Sequence, residues 1–425
     1  MPLRIAAVAY THYESDPRVR REAEALAARG DMVTVWALHK EGTPQVEVIK
    51  GVKVRRLTIP RYRGGKASAY LRSYTRFMTL AGLQLARAHT WARFDVVHVH
   101  TMPDFMVFTG MFPKLYGTKV LLDMHDMMPE LYALKFGLQK GGLVTKALRL
   151  AQQSATTFAD AVLAVHQNQY ELLLRDGVPP RKLGIVMNAA DPELFPPRKK
   201  EPRLKDGAPV RLVYHGTLLQ RYGVDIAVRA FAKAKKEQDN LQFTIYGGGD
   251  FAPELKALAH ELGLKAPDFD MTGEHRPLDE VAQAIRQAHI GIVPGRDDHE
   301  DSVLPTKMLE YVSVGIPTIA SKTRTVGRFF DDSQSELVPV GDVDAMAEAM
   351  VRLAQDKDRR KALVAGGRTW EQEYGWEVQK GLLFQTVDGL CPAQVAADRA
   401  ERQRKVQGKK TGTRKDDGTA SRNTP

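Results

Sequence analysis

The chain predicts an α/β protein made of two doubly wound parallel-sheet domains in series. Three observations carry this expectation. The 425 residues exceed what one ordinary core organises. Short, nearly all-apolar stretches alternate with amphipathic ones, as buried parallel strands alternate with the helices that cover them. The alternation breaks once, at the proline-rich, charged and aperiodic segment Pro196–Pro209, and then starts again, which reads as an interdomain linker.

The elements follow in order. Arg4–Tyr10 is a first strand. Asp16 and Pro17 supply an N-cap and a proline at the first helical position for a helix over 17–29, which Gly30 ends. Met32–Leu38 is the next strand. Strand Asp95–His100, a helix near 104–116, strand Lys119–Met124, a helix near 142–159, strand Ala161–Val165, a helix near 167–175 and strand Leu183–Met187 continue the series. After the break come Val210–His215, helix 223–235, Leu241–Tyr246, helix 252–262, a strand near Phe269–Thr272, helix 278–288, Ile290–Val293, helix 305–314, Pro317–Ser321, Glu336–Val340 and helix 342–355. A last helix covers 369–390. The expected division is an N-terminal Rossmann-like domain over 1–200 and a second Rossmann-like domain over 201–372. A C-terminal helix at 373–390 packs back on the first domain, and a disordered basic tail without aromatics covers 391–425. The carboxyl ends of both sheets would face a cleft that takes a ligand.

Composition narrows the class. Apolar residues make up 43%, yet no apolar run reaches the ~20 residues of a spanning helix. The chain enters its first strand without a signal-peptide pattern, so a cytoplasmic location is expected. The single cysteine, Cys391, excludes an internal disulfide and reads as an incidental thiol. The net charge of +11 is uneven: Gly51–Phe94 holds ten basic residues and no acidic one, and Ala396–Pro425 is net +5. The rest of the chain is therefore net acidic, and the basic regions need local explanations. The stretch 61–93 sets Tyr62, Tyr70, Tyr74, Phe77 and Trp91 among its arginines. Its helical part suits peripheral contact with an anionic membrane, at the inner face, and a lipid-linked acceptor; a simply solvated basic face is the other reading. No nucleic-acid motif accompanies the charge.

The most informative motif is Ser302–Ser321. Pro305 suits the first position of a short helix that stops at Gly315. A helix start after a loop offers unpaired N–H groups and a positive dipole end to an anion. With Pro305, Thr306 and Lys307 in the first turn and Glu310 one turn on, a nucleoside diphosphate is the ligand class that fits. The segment Tyr214–Asp225 turns through Gly216 and Thr217 and sets Arg221 ahead of a helix, where a cation can meet a leaving phosphate. Tyr246–Asp250, with Gly248 at its centre, is a glycine turn that admits close backbone approach or merely a tight strand-to-helix turn. In the first domain His125 and Asp126 follow a buried strand at its carboxyl end, where a polar pair points to function. His98 and His100 alternate on a strand, and packing is preferred over a metal pair because no further ligand set accompanies them. Asp268 and Asp270 read as entering a strand, and Asp297–Asp301 as a solvated loop. There is no nucleophile elbow, Walker A loop or zinc spacing.

Taken together these residues resemble the retaining glycosyltransferases of the GT-B fold, in the large family 4 group, over almost the whole chain to about residue 390. Leu304–Tyr311 followed by Gly315-Ile-Pro is similar to the family's donor-binding element. His215–Asp225 resembles the loop contacting the donor phosphates, Met187–Phe195 the stretch ending the first domain, and His125-Asp126 the acceptor-side histidine motif. Asp123–Tyr132 is similar to enzymes of surface-polysaccharide synthesis. The resemblance implies transfer of a glycosyl group, with retention, from a nucleotide diphosphate sugar to a glycan or lipid-linked acceptor, without a metal or other cofactor. Glu310 would bind the ribose, Lys307, Arg221 and the helix start the diphosphate, and His125 the sugar or acceptor. An epimerase of the same architecture and a non-catalytic nucleotide-sugar binder are the competing readings. Three positions depart from the family pattern. Ser302 stands where a first glutamate is usual, Thr217 and Tyr222 replace the phosphate-loop Arg and Lys, and the first loop, Thr11–Val19, lacks paired glycines.

Overall fold

The computed structural model describes residues 2–60, 67–136, 142–202, 204, 208–296, 303–395 and 397, without the side chains of 67 and 133–136. Ser302, the acidic loop Asp297–Asp301, residues 61–66 of the basic stretch and the tail beyond 397 lie outside the described residues.

The first sheet contains β1 (Arg4–His12), β2 (Met32–Leu38), β3 (Val46–Ile49), β4 (Val52–Leu57), β5 (Val96–His100), β6 (Lys119–Met124), β7 (Ala161–Ala164) and β8 (Leu183–Ile185). Their order is β3-β4-β2-β1-β5-β6-β7-β8. The second contains β9 (Val210–His215), β10 (Leu241–Tyr246), β11 (Phe269–Met271), β12 (Ile290–Val293), β13 (Thr318–Ser321) and β14 (Glu336–Val338), in the order β11-β10-β9-β12-β13-β14. Each sheet reverses its direction of winding once, between β1 and β5 and between β9 and β12. Loops at the carboxyl ends of strands beside such a reversal form the natural ligand crevice of a doubly wound sheet. Contacts divide the chain into two compact units, one of Met1–Val165, Leu172–Ile185 and the chain from Leu382 onward, the other of His166–Glu171 and Val186–Gly381.

Most strands pair in parallel, as their apolar character requires. The exception is the antiparallel hairpin β3–β4, which the alternation pattern passes over. Its turn holds Lys50 and Gly51 at φ 45° and 83°, the left-handed backbone that favours glycine and lets two short strands pair directly. β3 is an edge strand with Val46 and Val48 exposed, so it lacks the buried alternation that marks a strand in sequence. Three helical expectations are also corrected. The helix near 104–116 is a 3₁₀ stretch, Asp104–Gly110, and a short α-helix, Met111–Leu115. The last helix, read as 369–390, is two helices, Lys357–Tyr374 and Trp376–Leu390. Gly375 separates them, packed so closely on Glu371 that a Cβ there would lie 2.3 Å from the Glu371 carbonyl oxygen. Pro305 is the N-cap of helix Thr306–Val314, one residue earlier than expected.

Local chemistry explains the well-read starts. Asp16 caps helix Pro17–Arg29 by accepting from the Val19 N–H, an interaction worth about 1 kcal/mol. Gly30, at φ 106°, closes that helix with its N–H on the Leu26 and Ala27 carbonyls. In the second unit Phe231, Phe243 and Phe269 pack ring against ring at 5.5–6.0 Å. There Gly291 on β12 lets helix Thr306–Val314 close onto the sheet: a Cβ on Gly291 would lie 2.4 Å from the Tyr311 ring.

Candidate active site

The second unit places its polar groups in the loop after β9 and at the start of helix Thr306–Val314. Gly216 turns the loop at φ 131°. A Cβ there would press on the Lys307 side chain at 3.3 Å, so the glycine gives the lysine its space. Lys307 lies over two aromatic rings, its Nζ 5.1 Å from the centre of Tyr214 and 5.4 Å from that of Tyr222. Arg221 stacks on Tyr222 from the neighbouring position, 5.0 Å from its centre, and donates to its hydroxyl at 3.2 Å. Tyr222 therefore brings Lys307 and Arg221 to one ring, and cation–π contact orients charges that solvent would otherwise leave loose. The first turn of the helix has no side-chain cap, and its amides add partial positive charge to the two cations.

Glu310 follows one turn later, fixed from the sheet. His215, the last residue of β9, sets Nε2 2.5 Å from Glu310 Oε2, and its Nδ1 lies 3.0 Å from the Tyr311 hydroxyl. That hydroxyl is also 3.3 Å from the Val213 carbonyl. Both ring nitrogens are thus held, and Glu310 is half-buried beside them. Thr217 is exposed and accepts the Tyr214 hydroxyl through its carbonyl. The glycine run at 247–249 is a tight strand-to-helix turn, one of its two expected readings. A Cβ on Gly247 would lie 1.9 Å from the Gly216 carbonyl oxygen, one on Gly249 2.3 Å from that of Leu218, and one on Gly248 3.0 Å from Glu274 Cα. The run supports the loop after β9 through backbone packing, including a Leu218 N–H bond to the Gly248 carbonyl.

The first unit places His125 just beyond β6. The hydrogen bonds found for its ring run to Asp123 and His100, while the side chain of the adjoining Asp126 is exposed. Asp123 is fully buried. Arg18 clasps it with two donors, Nε to Oδ2 and Nη2 to Oδ1, both at 2.7 Å. His100 Nδ1 and His125 Nε2 each lie 3.1 Å from Oδ2. Glu22 sits 3.2 Å from Arg18 Nε and 3.6 Å from His98 Nε2, and the His98 and His100 rings lie 4.1 Å apart, tilted by 35°. Burial penalises the Asp123 charge, yet the Arg18 and His125 charges and the two histidine contacts hold its pKa well below the usual carboxylate range. Burial and the Asp123 charge push Glu22 upward despite Arg18. Burial, with His100 and Arg18, pushes His98 well below the ordinary imidazole value.

His98 and His100, read as packing residues, are thus members of a polar cluster. Ligand atoms of Glu22, His98, His100 and Asp123 all lie within 4.8 Å of one another, close enough to hold a cation in principle. Arg18 already places a guanidinium against both oxygens of Asp123, and a fixed positive charge there opposes a second cation. Sequence reading missed His215, Tyr222, Tyr311, Asp123 and Arg18. His215 and Tyr222 stood inside the motif that was found, whereas Arg18 and Asp123, 105 residues apart, meet only across the sheet. Cys391 is buried with its thiol pushed up to about 11 by burial and Asp95, which keeps it in the unreactive thiol form.

Residues 15–189 match the glycosyl transferase 4-like domain, and residues 209–356 match the glycosyl transferases group 1 domain. Among curated proteins, the chain is 24% identical over 225 residues to the amylovoran biosynthesis glycosyltransferase AmsK of Erwinia amylovora, covering 52% of this chain and 54% of that protein. It is 25% identical over 384 residues to the D-inositol 3-phosphate glycosyltransferase of Xylanimonas cellulosilytica, covering 84% and 86%. Among solved structures, sucrose-phosphate synthase from Thermosynechococcus elongatus superposes with a TM-score of 0.71 at 19% identity, over 92% of this chain and all of that one. The fold is that of the GT-B proteins, and the chain carries a glycosyl transferase 4-like domain followed by a glycosyl transferases group 1 domain.

Proposed function

We propose that this chain is a retaining glycosyltransferase that moves a sugar from a nucleoside diphosphate sugar to a glycan or lipid-linked acceptor in surface polysaccharide or glycolipid synthesis. The observation that carries the reading is the site around helix Thr306–Val314. Lys307 and Arg221 share the Tyr222 ring beside an uncapped helix start, with Glu310 one turn on and pinned by His215. Glycosyl transfer from a diphosphate needs stabilisation of the departing charge above all. Two cations and a helix start provide it without a metal ion, and Glu310 has a carboxylate free on one oxygen to accept ribose hydroxyls. His125, at the carboxyl end of β6, is the group for the sugar or acceptor. The similarity to AmsK, a glycosyltransferase of amylovoran biosynthesis, supports a polysaccharide product.

The test is a thermal-shift panel of UDP and GDP sugars on the full chain, followed by turnover with the best binder and anomer analysis of the product. Lys307→Ala should lower kcat/KM on the order of 10²-fold, and Glu310→Gln should mainly raise the donor KM. Unchanged turnover in both variants would remove the donor assignment, and an inverted anomer would remove retention.

A lipid-linked acceptor is favoured by one more observation. Helix Ala67–Trp91 buries Tyr74, Phe77, Ala81 and Leu85 and exposes Leu71, Arg72, Arg76, Leu83, Arg87 and Trp91. Helix Leu143–Phe158 of the same unit exposes Leu143, Val144, Lys146 and Leu150. Apolar and basic side chains on one exposed face suit an anionic lipid surface. Among the described residues, no helix is long and apolar enough to cross a membrane.

A further inference from the structure

His125 is the partly exposed end of a buried chain of charged groups. Its side chain is 18% exposed, while Asp123 and Glu22 are fully buried and Arg18 and His98 nearly so. Every element packed around the ring contributes a titratable group: Asp16, Arg18 and Glu22 from the first helix and its cap, His98 and His100 from β5, and Asp123 from β6. The backbone of His125 is held as well, its N–H donating to the Thr101 hydroxyl at 3.1 Å. Asp123 carries a bidentate guanidinium, so it is ionised and can only accept hydrogen bonds. The nitrogen of His125 that faces it, Nε2, must therefore bear a proton.

We propose that Asp123, clamped by Arg18, is a positioning residue that fixes His125 with Nε2–H turned inward, so that Nδ1 is the ring atom presented to a substrate oxygen. Burial works against a charged ring here. The Asp123 charge and hydrogen bond, aided by Asp16, outweigh that penalty and the opposing Arg18, and hold the His125 pKa above its ordinary value. The ring therefore keeps its second proton into the neutral range and donates through Nδ1–H to a sugar hydroxyl or phosphate oxygen. As pH rises through the raised pKa, that donor is lost and Nδ1 becomes an acceptor. The consequence for turnover rests on the glycosyl-transfer reading; the ring geometry does not.

The decisive measurement is ring-nitrogen NMR of the full-length protein across pH 5–9, with His125→Gln identifying the signal. The expected result is Nε2 protonated throughout and Nδ1 titrating above ~6.5, the ordinary imidazole value. An ordinary or lower titration, or Nε2 without its proton, overturns the proposal and needs no variant to fold. Asp123→Asn should then move both this titration and the alkaline limb of kcat/KM to lower pH, with turnover down ~10-fold, as partners that orient a site histidine do elsewhere. A purely structural Asp123 would lower the Tm and leave the limb in place. If no nucleotide sugar is turned over while the NMR result stands, the functional reading fails and the positioning role survives.

Discussion

At the scale of single residues, the decisive contacts join positions that are distant in sequence. His215 and Glu310 lie 95 positions apart and meet at 2.5 Å. A hydrogen bond to a charged partner is worth about 1.5–3 kcal/mol, so His215→Ala should raise the donor KM ~10-fold while changing kcat little; steady-state kinetics at varied donor concentration checks this. Asp104 offers a stability prediction. Its carboxylate is fully buried, and among the described residues neither oxygen has a hydrogen-bond partner. Burial, with Glu130 and Asp126, pushes its pKa up to about 7. A group raised above its unfolded value contributes stability that is present at low pH and lost as pH climbs from ~4 to the folded value. Asp104→Asn removes that loss. The variant should match the parent near pH 4 and exceed it by about 2 kcal/mol at pH 8, read from urea unfolding at the two pH values. Equal stability at both pH values would contradict the burial argument.

At the scale of elements, the site depends on how closely a short helix can approach its sheet. Helix Thr306–Val314 has nine residues, too few to be stable without tertiary packing. Tyr311 provides that packing over Gly291 and also touches His215. Gly291→Ala should therefore cost about 1–3 kcal/mol, as overpacking does, and weaken donor binding although residue 291 touches no ligand. Circular-dichroism melting and donor titration measure the two effects, and loss of stability with full donor affinity would separate the packing from the site. Strand and helix positions from Val210 to Ser321, and the helix Val343–Gln355, were readable to within one or two residues because apolar runs, Gly315 and Asp342 mark them, whereas the start of helix Lys357–Tyr374 and the short helix Val326–Phe329 were not. The hairpin β3–β4 and the split at Gly375 were not. An exposed edge strand carries no buried alternation, and a glycine within a helical pattern does not announce which neighbour it packs against.

At the scale of the whole molecule, charge placement is the main signal. Of the ten basic residues between Gly51 and Phe94, Arg56 is accounted for by its buried guanidinium pairing with the partly exposed Glu14 at 2.5 Å and Glu47 at 2.7 Å. Arg72, Arg76 and Arg87 remain on the exposed face of helix Ala67–Trp91. Each exposed base near an anionic bilayer is worth ~1 kcal/mol. Reversing two of them, Arg72→Glu with Arg76→Glu, should lower binding to phosphatidylserine vesicles on the order of 10-fold or more, and salt should lower that of the parent. Vesicle sedimentation at two ionic strengths is the measurement, and salt-independent or unchanged binding would remove the membrane reading.

By itself the sequence determined the two-domain α/β class, because apolar periodicity and glycine or proline punctuation are local consequences of burial and backbone sterics. It also located the helix that carries Lys307 and Glu310, because a proline at its start and a glycine at its end form a short, contiguous signature. Only the tertiary structure decided which partners complete those signals. His125 bonds to Asp123 two positions back, since alternate residues at a strand end point to the same face. Arg18 reaches Asp123 across the sheet, Tyr222 gathers two cations, and the glycine run at 247–249 serves backbone packing. Each of these depends on strand order and register, which join distant positions and leave no mark in the spacing of residues along the chain.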